Sequence, residues 1–226
     1  MGAGLSSRAL DARGPDGVLQ REAEIVAFER PVRLFRVRRS ARKRIFDFAF
    51  ASLLLALLAP LLIACWIGVR VTSKGPGLFW SERVGLKGRR FLMPKLRTMR
   101  LEAPLKHREG FAQAEDHVTA LGRLLRRFSI DELPQLWCII RGDMSFVGPR
   151  PLIASDPAQA ARAAFPEVMR VRPGLSGLAQ VRGRNHVAPR RKAKLDAFYA
   201  RTRSWRLDLA IIASTIGVVL TGRGFM

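Results

Sequence analysis

Residues 126–151 read RRFSIDELPQLWCIIRGDMSFVGPRP. The adjacent carboxylates Asp131 and Glu132 follow Arg123, Arg126 and Arg127. An apolar segment, Leu133 to Ile140, comes next, then the polar turn Arg141-Gly142-Asp143 and a Gly-Pro-Arg-Pro corner at 148–151. Cations beside carboxylates, with glycine and proline fixing the backbone around them, suit a site that handles phosphate. Helix capping explains part of the same text, because Ser129-Ile130-Asp131-Glu132 has the S-x-x-E spacing of a capping box. A helix begun at Ser129 would, however, place Pro134 where its missing N–H costs a helix bond. With Asp131 as the N-cap, Pro134 falls in the first turn, where no partner is needed. The arginines upstream and the two turns downstream favour chemistry over capping alone.

The 226 residues carry 40 Lys and Arg against 18 Asp and Glu, a formal net charge of +22. Such a balance points to a polyanionic partner: nucleic acid, anionic lipid or phosphorylated substrates. Aromatic residues are scarce outside one apolar block, which counts against nucleic acid, where stacking platforms are the rule. Cys65 and Cys138 both lie in apolar segments and form no disulfide framework, which fits a reducing compartment. Residues 1–40 read as a mobile basic arm with a short helix around Glu22–Glu29.

The apolar block, Ile45 to Val69, holds a single charge, Asp47. It is long enough to span a bilayer, for which about 20 apolar residues suffice. Pro60 near its middle is expected to kink or break the helix. Both flanks are basic, with Arg38 to Arg44 before it and Arg70, Lys74 and Arg83 after it. The positive-inside rule then keeps both ends in the cytoplasm. A helix that enters, bends at Ala59-Pro60 and returns satisfies both observations, while a proline-kinked single span stays open.

Beyond the block, turns at 74–77 and 84–88 separate extended pieces at Leu78–Trp80 and Arg90–Met93. Lys95 and Arg97 share a face if the backbone there is extended. Residues 101–117 read as a polar loop whose His107 and His117 lack metal-ligand spacing. Val118–Phe128 reads as a helix with Leu121, Leu124, Leu125 and Phe128 on one face. Asp156–Phe165 reads as an alanine-rich helix stopped by Pro166, and Leu178–Val181 as an extended piece. Arg182-Gly183-Arg184-Asn185 is a cationic turn able to direct N–H and guanidinium groups at a phosphate. Lys192–Arg203 reads as a basic amphipathic helix. Leu207–Leu220 is too short to cross a bilayer unaided and suits either a membrane surface or the core.

These motifs together resemble the bacterial sugar transferase family, the monotopic polyprenyl-phosphate phosphoglycosyl transferases. The resemblance rests on Lys43 to Phe48, Pro60, Arg83-Val84-Gly85, Lys95 to Met99 and Ser129 to Leu136. It continues through Gly142 to Ser145, Gly148 to Pro151, Arg172-Pro173-Gly174, Ala179-Gln180 and Gly183-Arg184, and covers about residues 41–223. It implies transfer of a sugar-1-phosphate from a UDP-sugar to polyprenyl phosphate with release of UMP. It also implies Mg²⁺ held by Asp131 and Glu132, Asp131 as the nucleophile that becomes a covalent phosphosugar carrier, and Glu132 as its partner. Lys95, Arg97, Arg126, Arg150 and Arg184 are the candidate phosphate-binding cations.

The expected fold is α+β and monotopic. A mobile arm (1–40) precedes a re-entrant helix broken at Pro60 (41–72) and a catalytic domain (73–226) with interfacial amphipathic helices, on the cytoplasmic face of a bacterial inner membrane. The chain lacks the extra N-terminal spans of larger members and reads as a minimal catalytic form. Ala59, Leu96 and Cys138 stand where members commonly have serine, phenylalanine and asparagine, departures that bear on substrate preference or stability. Phe91–Lys95 leans toward an N-acetylated hexose. Homo-oligomerisation is left open, as are two competing readings: a non-catalytic basic protein on anionic membrane or nucleic acid, and a polyprenyl-phosphate phosphatase.

Overall fold

The computed structural model describes residues 41–101, 117–183 and 188–221. The 1–40 arm with its Glu22–Glu29 helix, most of the 101–117 loop, and Arg184 lie outside the described residues. Helices and short strands are mixed, in keeping with an α+β class.

The apolar block forms one helix, α1 (Ala41–Thr72), which runs through Pro60. The expected break is therefore corrected. The proline removes one N–H from a helix of 32 residues, and the leucines and alanines around it are strong helix formers, so helical conformation continues past it. Charged groups near the N-terminal end of α1 hold it to the rest of the molecule. Lys43 pairs with Asp208 at 2.6 Å, Arg44 donates to the carbonyls of Ile139 and Ile140, and Asp47 accepts from the Phe146 amide at 3.4 Å. Near the other end, Val69 packs with Leu96 and Leu125, joined by Leu62 and Cys65. Both ends thus rest on the same body. Between them Leu53, Leu57 and Ile63 stand bare, Leu57 at 70% exposure. The helix is long and apolar enough to cross a membrane.

The two extended pieces that follow become an antiparallel hairpin, β1 (Leu78–Val84) and β2 (Arg90–Leu96), in register from Leu78↔Leu96 to Val84↔Arg90. Helix α2 (Ala120–Arg127) starts at Thr119, whose side chain accepts from the Gly122 amide at 2.9 Å. The chain then turns through Ser129, a left-handed residue at φ 54, into a 3-10 helix, Ile130–Gln135. Helix α3 (Leu136–Arg141) follows and is stopped by Gly142 at φ 93, a conformation glycine adopts without strain. A parallel pair, β3 (Ser145–Val147) and β4 (Gly174–Ser176), is bridged by α4 (Pro157–Ala161) and two 3-10 turns.

Leu178–Val181, expected as extended, lies instead in helix α5 (Leu178–Gly183). The amides of Gln180 and Val181 both bond the Gly177 carbonyl, so the chain coils as soon as β4 ends. A short apolar run between glycines does not distinguish the two states. Helices α6 (Pro189–Thr202) and α7 (Trp205–Thr221) complete the chain described. The core gathers Phe91, Met93, Leu136, Ile139, Tyr199 and Ile211. Tyr199 donates to Asp208 at 2.7 Å, tying α6 to α7 beneath the start of α1. Trp205, Leu209, Ile216 and Leu220 leave an apolar flank of α7 exposed, as an interfacial helix requires.

Candidate active site

The carboxylate pair sits in the 3-10 helix. Ser129 makes no side-chain capping bond, and Asp131 follows Ile130 inside the helix instead of capping it. Capping accounts for neither residue. Asp131 is buried at 8% exposure, and no side-chain hydrogen bond engages its carboxylate.

Glu132 is held differently. Its Oε1 accepts from Lys95 Nζ at 2.6 Å and from Arg150 at 3.4 Å. Burial works against its charge, but Lys95 and Arg150 outweigh burial and pull its pKa down to about 2. For Asp131, burial and then the charge of Glu132 push the pKa up to about 6, with Lys95 and Arg126 pulling the other way. At neutral pH Asp131 is therefore ionised, yet its cations do not set its pKa. Two adjacent carboxylates are driven apart: one is a locked anion, the other an anion held at some cost.

The cations arrive from four segments. Lys95 comes from β2 and Arg126 from the end of α2, where its Nε is fixed by Thr98 Oγ1 at 2.9 Å. Arg150 rides on the Gly-Pro-Arg-Pro corner, which is stitched to β4 by Gly148 N to Ser176 O and Gly174 N to Pro149 O, both 2.9 Å. Glycine is required in this seam, since a Cβ on Gly148 would stand 2.3 Å from the Arg172 carbonyl. Arg162, buried and bonded twice to Asp196, donates to the Arg150 carbonyl at 2.9 Å and holds the corner from behind.

The fourth cation, Arg83, is one that sequence reasoning did not single out. Alternation along the hairpin places Arg83 on the same face as Lys95, because Arg83 pairs with Phe91 and Phe79 with Lys95. That periodicity was the available signal. Burial and then the charge of Arg150 lower the pKa of Arg83, as expected for a crowded cationic pocket.

Arg97 is a correction. It lies just past the end of β2, and its guanidinium bonds the carbonyls of Ser73 and Lys74 and the Ser73 hydroxyl. At 7% exposure it secures the end of α1 and takes no part in the cluster around Glu132. Its amide still bonds the Gly77 carbonyl at 3.0 Å, but its guanidinium is taken up at the end of α1.

A small, open cleft of about 20 Å³ lies beside Glu132, lined by Arg83, Lys95, Glu132, Gln135, Arg150 and Gln180, with Met93 and Leu175 on its apolar side. Three cations against one carboxylate leave it net positive, a setting suited to phosphate oxygens. No three His, Cys, Asp or Glu side chains cluster as a metal cage among the described residues. Mg²⁺ commonly takes one or two carboxylates and completes its shell with water and substrate phosphate. The Asp131 carboxylate, bonded by no side chain, fits that mode, with Glu132 beside it.

A model of the family described as bacterial sugar transferase matches residues 38–222. The chain belongs to this family. It is a transferase. Among its relatives, a UDP-glucose:undecaprenyl-phosphate glucose-1-phosphate transferase of Caulobacter vibrioides is 43% identical over 195 residues, covering 82% of this chain and 72% of the relative. An undecaprenyl-phosphate galactose phosphotransferase of Salmonella typhimurium is 34% identical, covering 87% of this chain and 46% of the relative. A UDP-N-acetylgalactosamine-undecaprenyl-phosphate N-acetylgalactosaminephosphotransferase of Aeromonas hydrophila is 37% identical, covering 80% of this chain and 44% of the relative. In this bacterial sugar transferase the carboxylate pair lies well inside the matched span.

Proposed function

We propose that this bacterial sugar transferase moves a sugar-1-phosphate from a UDP-sugar to polyprenyl phosphate through an aspartyl phosphosugar intermediate. The observation that carries this reading is the contrast within the pair: Glu132 is locked by Lys95 and Arg150, while the neighbouring Asp131 carboxylate is ionised, buried and bonded by no side chain, only by its own backbone amide. An Asp131 oxygen attacks the sugar-bearing phosphorus and the bond to the bridging oxygen breaks, releasing UMP. A phosphate oxygen of the lipid then attacks the same phosphorus, giving the polyprenyl diphosphate sugar and restoring the carboxylate. Splitting one displacement into two is the established use of a carboxylate nucleophile.

Lys95, Arg83 and Arg150 hold the diphosphate oxygens and offset charge gathered in the transition state. Arg126, with Lys95, acts on the charge of the nucleophile, and Arg184 is kept as a candidate contact. Mg²⁺, held by Asp131 and Glu132 together with substrate oxygens, would supply further charge neutralisation. The lipid acceptor reaches the cleft from a membrane bearing anionic lipid, into which the bare flanks of α1 and α7 insert. Attachment of both ends of α1 to one body supports re-entry by a bend at Pro60 within a continuous helix, with the catalytic domain on the cytoplasmic face of the bacterial inner membrane. The relatives are named for glucose, galactose and N-acetylgalactosamine, and the leaning toward an N-acetylated hexose stays a proposal.

The test is a reaction without lipid acceptor. Wild type, given a UDP-sugar and Mg²⁺, should release up to one UMP per active enzyme and gain the mass of a sugar phosphate on Asp131. Asp131→Asn should do neither. Turnover by a folded Asn variant would overturn the reading. Release of inorganic phosphate from polyprenyl phosphate alone would favour a phosphatase.

A further inference from the structure

One face of the β1–β2 hairpin makes a path from α1 to the carboxylate pair. Strand residues two apart share a face and stand about 7 Å from each other. The register sets Phe79 beside Lys95 across the strands, then Ser81 beside Met93 and Arg83 beside Phe91. The Arg83 guanidinium bonds the Ser81 hydroxyl at 3.1 Å, as neighbours on one face do. Pairing runs one residue past the strand, since the Arg97 amide bonds the Gly77 carbonyl. Gly77 therefore falls on the same face, two residues before Phe79. Trp66 of α1 covers that position, because a Cβ on Gly77 would stand 2.5 Å from its indole. In order along the face come Trp66, then Phe79 with Lys95, then the cleft.

The two aromatics are bare where the deeper part of the face is covered. Phe79 is 44% exposed and Trp66 38%, whereas Phe91 and Met93 are buried. Ile63, Ile67 and Val71 are exposed on α1 near Trp66, so the apolar surface of that helix reaches the hairpin. Contiguous apolar surface of this kind marks contact with a membrane or a ligand. At the far end of the path the surface turns cationic: Lys95 bonds Glu132 and acts on the charge of Asp131. That polarity matches an amphiphile with a hydrocarbon tail and an anionic head. A nucleotide sugar carries hydroxyls or phosphates along most of its length and gains little from a surface continuous with α1. The polyprenyl phosphate acceptor has its tail in lipid and a phosphate that must reach Asp131.

We propose that Trp66 and Phe79 bind the first isoprene units of the acceptor and lead its phosphate past Lys95 to the carboxylate pair. The proposal rests on the phosphoglycosyl reading above. It gives the Phe79 end of the hairpin to the lipid and the Arg83 end to the nucleotide.

The experiment separates the two half-reactions. The full chain in phosphatidylcholine vesicles is given Mg²⁺ and the fastest of UDP-glucose, UDP-galactose and UDP-N-acetylgalactosamine, with and without undecaprenyl phosphate. Without acceptor, Phe79→Ala should form its single UMP per enzyme within about twofold of the wild-type rate. With acceptor, KM for undecaprenyl phosphate should rise about tenfold in Phe79→Ala and in Trp66→Ala, as loss of one apolar contact entails. Phe79→Leu should recover most of that loss. Trp205→Ala removes an exposed ring from α7, away from the hairpin, and should leave the acceptor KM within about twofold. Flotation of each variant with the vesicles checks that it stays membrane-bound. An unchanged acceptor KM in Phe79→Ala would overturn the proposal. So would an equal rise in Trp205→Ala, which would mean that the rings only anchor the protein to the bilayer. A rise in KM for the UDP-sugar alone would place the nucleobase on Phe79, and would overturn it too. Failure of wild type to release UMP without acceptor would instead remove the phosphoglycosyl reading, and this proposal with it.

Discussion

Asp131 combines a charge with a buried site, and that combination has a measurable cost. Its pKa of about 6 in the fold exceeds the ordinary 3.8, so between those values the folded state holds the proton more tightly than the unfolded chain. Stability therefore falls as pH rises from about 4 to about 6, and stays reduced above that. Asparagine carries no such charge. In metal-free solution with EDTA, Asp131→Asn should match wild type near pH 4 and be more stable at pH 7, by at most about 3 kcal/mol. Denaturant unfolding across that range checks it; equal stability at pH 7 would show that solvent reaches the carboxylate. Arg97 carries a contrary expectation. Arg97→Ala abandons bonds to Ser73 and Lys74 and should cost about 2–4 kcal/mol of stability. The KM for the UDP-sugar should stay within about threefold, since no bond of Arg97 reaches the Glu132 cluster. A tenfold rise in KM with an unchanged melting temperature would return Arg97 to the phosphate site.

Among the elements, α1 carries the topological prediction. Its two ends rest on one body, so single cysteines at Ala41 and Lys74 should both react with a membrane-impermeant thiol reagent from the cytoplasmic side of inverted vesicles. Labelling of only one end from each side would establish a single span. The same elements show what the sequence disclosed. The hairpin was legible because glycines bound it at both ends, α2 because its leucines recur at helical spacing, and α1 because few other structures can hold so many apolar residues. Two features were not legible. The 3-10 geometry at Asp131 depends on a left-handed Ser129 and on Pro134, each compatible with other turns. The coiling of Leu178–Gly183 depends on the carbonyl of Gly177, freed where β4 stops. The carboxylate pair was read from its neighbours in the chain. Arg83 was within reach of the alternation along the hairpin and Gln135 of its place one turn after Glu132, whereas Gln180 joined the site through the β3–β4 seam, a contact that no local spacing announces. Arg97 was misplaced for a related reason, since its target carbonyls lie more than twenty residues back.

For the whole molecule, a net charge of +22 is far more than three site cations need. The surplus should gather anionic lipid and anionic substrates toward the cleft. Raising salt from about 50 to about 500 mM shortens the reach of that field, and KM for the UDP-sugar should rise several-fold while kcat changes less. A KM indifferent to salt would confine the electrostatics to direct contacts. The attachment of α1 has a further consequence, for biosynthesis. Its partners are Ile139, Phe146 and Asp208, and the Lys43–Asp208 pair is separated by 165 residues. At about 5–20 residues per second, the ribosome finishes α1 roughly 7 to 27 seconds before Asp208 is made. For the first part of that interval the Ile139 and Phe146 groups that hold Arg44 and Asp47 are also missing, and lipid or a chaperone must shield the apolar residues up to Val69. Nascent chains arrested before α7 should therefore hold α1 in a protease-sensitive state, and chains arrested after it should not. Equal protection at both lengths would mean that the membrane alone secures the helix.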